Sequence, residues 1–397
     1  MQKIRRIFYS LIMKYFQYES FLRSYISFIF LNFKFSSYQE RLKDRLNIKR
    51  LEESLEKNEK KRLAIFVAFH ETKTISESNF NYLKILKRSF FEIIYVHNGP
   101  LTNDVRINLE EFGCHVICRE NIGQDFGAWK DIILLINQYE LNKKLDWILL
   151  CNDSNFCLGG NNTELFINKF SEILKNKEID FVSLNNNYQD SIHHQSYFLC
   201  LSEAIFKSKK FKRFWNQYIP ISNRSHAIRN GEIKFSKEVL SFFRQKVIYT
   251  SHELYQEIIL NRNEYDQISS YLPKNSYKLK SYVNLDQKNL YKLNLRIEEV
   301  IDYLENFNQS HVFALLNILF LKNPFFKKNL VCSGTFSYGQ IYRILNYEEL
   351  EIDNKLKTEI MNCLLKKGTS YSFLGSLRLA AKNGIHPLGT KIDKEFR

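Results

Sequence analysis

Proline and glycine are scarce, at 5 and 13 residues in a chain of 397. That leaves no room for a Pro- or Gly-rich linker or a low-complexity tract, and no internal repeat is present. The seven cysteines are odd in number and form no Cys-x-x-Cys pair. They sit mostly in apolar strand-like stretches (Cys114, Cys118, Cys151, Cys200), which excludes a disulfide framework or zinc site and points to reduced, buried thiols of a cytosolic protein. Long apolar runs are missing as well. Lys14, Glu19 and Arg23 interrupt the N-terminal apolar stretch, and the uncharged run Ser24–Phe33 is only ten residues. A bilayer needs about 20. No small-residue cleavage site follows, so a secretory signal is not expected. Nor is there a zinc-finger spacing, an RNP-type strand or a long Lys/Arg run, which removes nucleic acid from the expected partners.

What is present is positive charge, +15, and aromatic residues, 15%. The charge suits an anionic membrane or phosphorylated substrates, or it reflects lysines spread over solvated faces. At the N-terminus Ile4, Phe8, Leu11 or Ile12, and Tyr15 recur at helical spacing, with Lys3, Arg5, Arg6 and Lys14 on the other face. This predicts an amphipathic helix in the membrane interface, meeting anionic lipids from the cytoplasmic side of the inner membrane. The alternative is a helical hairpin packed on the rest of the chain.

Residues 1–61 divide into that amphipathic segment and a charged stretch, 36–61, expected to be a solvated helical spacer. From residue 62 short apolar strands alternate with helices. Strands are expected at 63–69, 92–97, 115–118, 146–151, 180–184 and 196–201, with helices near 76–88, 103–112 and 162–175. Another helix follows the loop RENIGQDFGA, with Trp129, Ile132, Ile133 and Ile136 on one face. Strand–helix alternation of this kind predicts an α/β fold, a mostly parallel sheet with right-handed crossovers, over 62–250. Residues 251–397 read as mainly helical.

In such a sheet ligands bind at the carboxyl ends of the strands. Asn98 ends one strand, before Gly99-Pro100. A second end is Asn121-Ile122-Gly123-Gln124-Asp125-Phe126-Gly127, where two glycines let backbone approach a ligand and Asp125 suits a sugar or ribose hydroxyl, or caps the helix. The third is Asn152-Asp153-Ser154, where one carboxylate can hold Mg or Mn against a diphosphate, or make a turn. The stretch Asp190–Phe198 adds His193, His194 and Gln195, without a zinc spacing. One imidazole there can donate to a substrate oxygen.

These stretches together resemble the rhamnan synthesis protein F family of bacterial polysaccharide glycosyltransferases. The resemblance is carried by RENIGQDFGAWK, by NDS after the next strand, and by His193-His194-Gln195-Ser196-Tyr197-Phe198. It continues through Phe211, Phe214-Trp215, Val247-Ile248 and Glu253 to Asn308-Gln309-Ser310-His311 and Pro324-Phe325-Phe326-Lys327, covering about residues 62–330. It departs at Asn155-Phe156-Cys157-Leu158-Gly159, where the family continues with Gly-Pro, and at Asp180-Phe181-Val182-Ser183.

The resemblance implies a GT-A-like transferase moving rhamnose or a related deoxyhexose from a nucleotide sugar to a polysaccharide or lipid-linked acceptor. In that reading Asp153 holds the cation, while Asn98, Asn121, Gly123, Asp125, Gly127, Asn152, Ser154 and Gln195 shape the donor pocket. His194 contacts donor or acceptor. Glu253 is the expected base, with Asp190 the second choice, although a helix-initial Glu after Ser251 is also an ordinary capping residue. The competing class is a non-catalytic scaffold that keeps a degenerate transferase fold.

Overall fold

The strand Arg62–Ala68 (β1) is buried along its whole length, and its side chains alternate between two separate cores. Leu63, Ile65 and Val67 enter one; Ala64, Phe66 and Ala68 enter the other. That is the signature of a central strand covered on both faces. The computed structural model describes residues 11, 14, 15, 18, 19, 21–30, 37–69, 74–187, 192–261, 270–272, 309–332 and 336–365.

Around β1 lie Phe91–Asn98 (β2), Cys114–Arg119 (β3) and Trp147–Asn152 (β4). After the short Asn155–Cys157 (β5) come Phe181–Ser183 (β6), Asn186–Asn187 (β7), His193–His194 (β8), Phe198–Ser202 (β9), Gln245–Val247 (β10) and Phe325–Lys327 (β11). The main sheet has seven strands in the order β10-β6-β9-β4-β1-β2-β3. Only β9 runs against its neighbours, β4 and β6. The expected parallel-dominated α/β sheet is therefore present.

Helices cover both faces. Gln124–Gln138 and Lys209–Gln217 place Trp129, Ile132, Phe214 and Trp215 on one side. Glu77–Arg88 and Gly160–Lys175 place Leu83, Leu86, Phe166 and Phe170 on the other. A third core joins the C-terminal helices, through Leu315, Leu316, Ile344 and Ile360, to Phe156 of β5 and Phe326 of β11. β5 and β11 pair antiparallel, Lys327 opposite Asn155.

The charged stretch before β1 is not a solvated spacer. Leu51 and Leu55 lie four apart on the helix Ile48–Lys57 and are buried with Leu46 in the core of the first face. Its charges are polar on the outer side only. Arg41 goes further and is itself buried, against Asp131.

Residues 21–30 are helical. Phe21 stacks on His226 at 6.1 Å, while Tyr15, Tyr18, Leu22, Ile26, Ile29 and Phe30 are exposed. So this segment touches the domain with one face and presents apolar side chains with another. Among the described residues no helix is long and apolar enough to cross a membrane. Cys114, Cys118, Cys151, Cys157 and Cys200 are free and buried, as expected. Burial pushes the Cys114 and Cys157 thiols up to about 12, which keeps them unreactive.

Candidate active site

The parallel strands β1, β2, β3 and β4 end on one edge, and the polar residues just past them bond to one another. Past β1, the Phe69 N–H donates to Asp153 Oδ2 at 3.1 Å. The Asp153 N–H returns to the Val67 carbonyl at 3.0 Å. Past β4, Asn152 Nδ2 donates to Asp125 Oδ2 at 2.8 Å. The Ser154 N–H and Oγ both donate to Asn152 Oδ1, at 3.1 and 2.6 Å. Those two bonds fix which end of the amide faces Asp125, since only its NH2 can donate.

Asp125 and Asp153 are thus neighbours joined through Asn152. Burial, and then the Asp153 charge, push Asp125 up to about 7, against the bond from Asn152 and the Arg119 charge. Asp125 still reaches solvent. Two carboxylates in this relation fit a hard divalent cation, whose charge would relieve their repulsion and whose other positions would go to water and phosphate oxygens. Among the described residues there is no group of three or more His, Cys, Asp or Glu that could hold a metal alone.

The glycines of this loop do something other than open space for a ligand. A Cβ on Gly123 would sit 2.5 Å from Pro220 Cβ, and one on Gly127 only 2.1 Å from the Ile122 carbonyl. Gly123 and Gln124 both have positive φ, 75° and 53°, so the chain reverses tightly just before the helix begins. The close approach is to the protein itself, and its product is the position of Asp125 at the helix start. Ser222 locks the loop from the other side, its Oγ accepting from Gly123 N at 2.9 Å and donating to the Asn121 carbonyl at 3.4 Å.

Asn98 supports the loop indirectly. Its Oδ1 accepts from Arg119 Nη1 at 2.6 Å, and Arg119 Nη2 donates to the Ile122 carbonyl at 2.8 Å. Arg119 and Arg41 both grip the fully buried Asp131, at 2.9 and 2.6 Å. This Arg–Asp–Arg cluster lies directly behind the site. Asn98 is a positioning residue within it.

The other wall is built by residues far apart in sequence. Gln195 is buried at the turn before β9, and its Oε1 accepts from Lys327 Nζ at 3.3 Å. Lys327 comes from β11, and the next residue's N–H donates to the Ser154 carbonyl at 2.9 Å, which ties this wall to Asp153. Ser196 Oγ donates to Glu232 Oε2 at 2.7 Å, and His193 Nε2 lies 3.2 Å from Glu232 Oε1. Burial alone would raise the Glu232 carboxyl, but His193, Lys327 and Ser196 outweigh it and hold it below its ordinary value. Glu232 sits in a π-helical turn, Ala227–Ile233, a geometry that widens a helix and recurs at functional sites. Glu232 was not identifiable from the sequence, because residues 218–244 carry no clear period and no motif.

Two expected residues take other places. Glu253 belongs to the helix cap: its Oε2 accepts from the Thr250 N–H at 3.1 Å, while the Thr250 hydroxyl accepts from Glu253 N–H at 3.1 Å. Its other neighbour is Lys169, at 3.8 Å, so the carboxylate is occupied by local structure. His194 bonds Ser183 Oγ through Nδ1 at 2.9 Å and meets the Phe181 ring edge-on at 4.8 Å. Burial pushes it down to about 4, so it is a neutral core histidine, and its neighbour His193 is the one that meets Glu232. Asp190 lies outside the described residues.

A doubly covered, mostly parallel sheet with acidic residues at its carboxyl edge defines an α/β protein of the mostly parallel class. The family model for rhamnan synthesis protein F matches residues 93–315, more than half of the chain, and the chain belongs to that family. It is 27% identical over 169 residues to the uncharacterized protein y4gN of Sinorhizobium fredii (strain NBRC 101917 / NGR234), covering 42% of this chain and 43% of that protein. Two structures of the glycosyltransferase GlyE of Streptococcus pneumoniae TIGR4 are similar at 12% and 15% identity, the second an apo form. The TM-scores are 0.30 and 0.26, with 67% of this chain and 64% and 65% of theirs covered, and likeness this slight says nothing about chemistry. The chain spans less than half of the curated relative and under two thirds of GlyE.

Proposed function

We propose that this protein is a GT-A-like glycosyltransferase acting in polysaccharide synthesis, taking its sugar from a nucleotide-sugar donor. The observation that supports this most is the Asp125–Asn152–Asp153 arrangement at the carboxyl edge of a parallel sheet. In this reading the acceptor hydroxyl attacks the anomeric carbon, the bond from that carbon to the diphosphate oxygen breaks, and the nucleoside diphosphate leaves with the electron pair. Asp125 and Asp153 would hold a Mg or Mn ion, which supplies positive charge beside the departing diphosphate. Asn152 and Ser154 keep the two carboxylates in register, and Asn121 rims the pocket. With Glu253 engaged in its cap, Asp190 is the base of this reading. The donor would be rhamnose or a related deoxyhexose, and the acceptor a cell-envelope polysaccharide or lipid-linked glycan.

The test is turnover of a nucleotide-sugar library, read by mass spectrometry, with wild type and Asp153→Asn. A donor should be consumed, and the substitution should lower turnover about 100-fold. Turnover unaffected by both chelator and Asp153→Asn sinks the cation role, and no turnover of any donor would favour a non-catalytic scaffold.

The exposed apolar residues of the N-terminal helix support peripheral attachment to an anionic membrane, where confinement would concentrate a lipid-linked acceptor. Full-length protein should float with anionic liposomes at low salt, and protein beginning at Ser36 should stay folded and remain in the aqueous fraction. Failure of the full-length protein to bind rules the attachment out.

A further inference from the structure

Beside Asp153 stands a group of positive and hydrogen-bonding side chains that the folded chain leaves short of partners. Lys327 reaches it on β11, opposite Asn155, and its ammonium donates to an uncharged amide, Gln195 Oε1 at 3.3 Å. Its ammonium also lies 5.4 Å from the Tyr197 ring centre. The one carboxylate of this wall, Glu232, is already engaged by His193 and Ser196. Arg224, at the start of the turn that leads to Glu232, is half-buried and makes no side-chain hydrogen bond or ion pair among the described residues. His311 Nε2 is sealed from solvent and has no hydrogen-bond partner. A buried ring nitrogen left unpaired carries a desolvation cost that an acceptor on a ligand would remove.

The three groups neighbour one another. Burial lowers His311 well below its ordinary value, and the charges of Lys327 and Arg224 lower it further. Burial also brings Lys327 down to about 8, with Glu232 opposing and Arg224 adding to the effect. Gly231, next to Glu232, lies against the Phe126 ring, so this wall abuts the helix start that carries Asp125.

We propose that Lys327, Arg224 and His311 form a diphosphate-binding subsite facing Asp125 and Asp153. Phosphate oxygens would accept from the ammonium, the guanidinium and the His311 ring, completing the bonds that the protein leaves open. Glu232, held by His193 and Ser196, keeps Lys327 and Arg224 from repelling each other apart. The diphosphate could belong to a nucleotide-sugar donor, which rests on the reading above, or to an isoprenoid-linked acceptor, which does not.

Calorimetric titration of the full-length protein in chelator tests this, using inorganic pyrophosphate, nucleoside diphosphates and geranyl diphosphate as probes. Pyrophosphate should bind without a divalent ion. Lys327→Met should weaken it about 10- to 100-fold, the range for losing a charged hydrogen bond. His311→Gln should weaken it by a smaller factor, and Lys327→Arg should restore binding to within about threefold of wild type. Asp153→Asn should leave metal-free binding intact, which separates this subsite from the cation role. Tighter binding of nucleoside diphosphates than of geranyl diphosphate assigns the donor; the reverse assigns the acceptor. Pyrophosphate binding equal in wild type and Lys327→Met, or absent from wild type up to millimolar concentration, overturns the proposal. Circular dichroism melting of each variant excludes misfolding, and if Lys327→Met does not fold, His311→Gln and Arg224→Gln carry the test.

Discussion

Two buried groups of charge stand within one domain and are finished to different degrees. Behind the site, Asp131 accepts from Arg41 and Arg119, and Arg119 also donates to Asn98 and to the Ile122 carbonyl, so each charge has a partner within the protein. In front of it, Lys327 has an amide and the Tyr197 ring, Arg224 feels the Glu232 charge without a hydrogen bond or close ion pair among the described residues, and His311 Nε2 has no hydrogen-bond partner. Removing charge from water costs several kcal/mol per ion unless partners replace the water. The saturated group is therefore what holds the loop, and the open group is what a ligand would complete.

Asp131→Ala breaks the comparison most directly. It leaves two guanidinium groups buried without a counterion and should cost about 3–5 kcal/mol in urea unfolding. Lys327→Met removes a charge from a group with too few partners and should change stability by no more than about 1 kcal/mol. Equal losses for the two variants would erase the distinction drawn between them.

A second contrast is between adjacent histidines. His193 meets Glu232, whereas His194 is kept neutral in the core and pushed down to about 4. An unfolded histidine titrates near 6.5, so the unfolded chain takes up this proton first as the pH falls. The stability that neutral His194 contributes is complete above about 6.5 and is lost between there and about 4, on the order of 2–3 kcal/mol. His194→Gln should flatten the dependence of unfolding free energy on pH across that window. His97, His226 and His311 are also held low and keep part of the slope. An unchanged slope in the variant would show that His194 titrates alike in the folded and the unfolded chain.

Much of the sheet could be read from the sequence because central parallel strands are continuous apolar runs, and β1 to β4 each appear that way. The acidic strand ends followed from them, since the turn after a buried strand must be polar. What was hidden depended on pairing between distant segments. β11 is three residues long and has no pattern of its own; its register with β5 is what brings Lys327 to the site. Glu232 lies in a π-helical turn, whose five-residue bonding does not follow a 3.6-residue repeat, and Arg224 lies in the three-residue helix just before it. The role of residues 37–57 was obscured by their surface charge, although Leu51 and Leu55 at helical spacing marked a buried face. Asp131 was also visible as a lone carboxylate among Trp129, Ile132, Ile133 and Ile136, and asking for its counterion would have led to the arginines.

The pairing of β5 with β11 also sets an order of events at the ribosome. Asn155 waits until Lys327 has been made, which at about 5–20 residues per second is roughly 10–35 s of synthesis. Through that interval the sheet and Asp153 can be in place while Phe156, bound for the third core, is uncovered. A nascent chain in this state is half a cleft with an apolar edge, the kind of surface that chaperones hold. Shielding it early would matter more for yield than speeding the final closure.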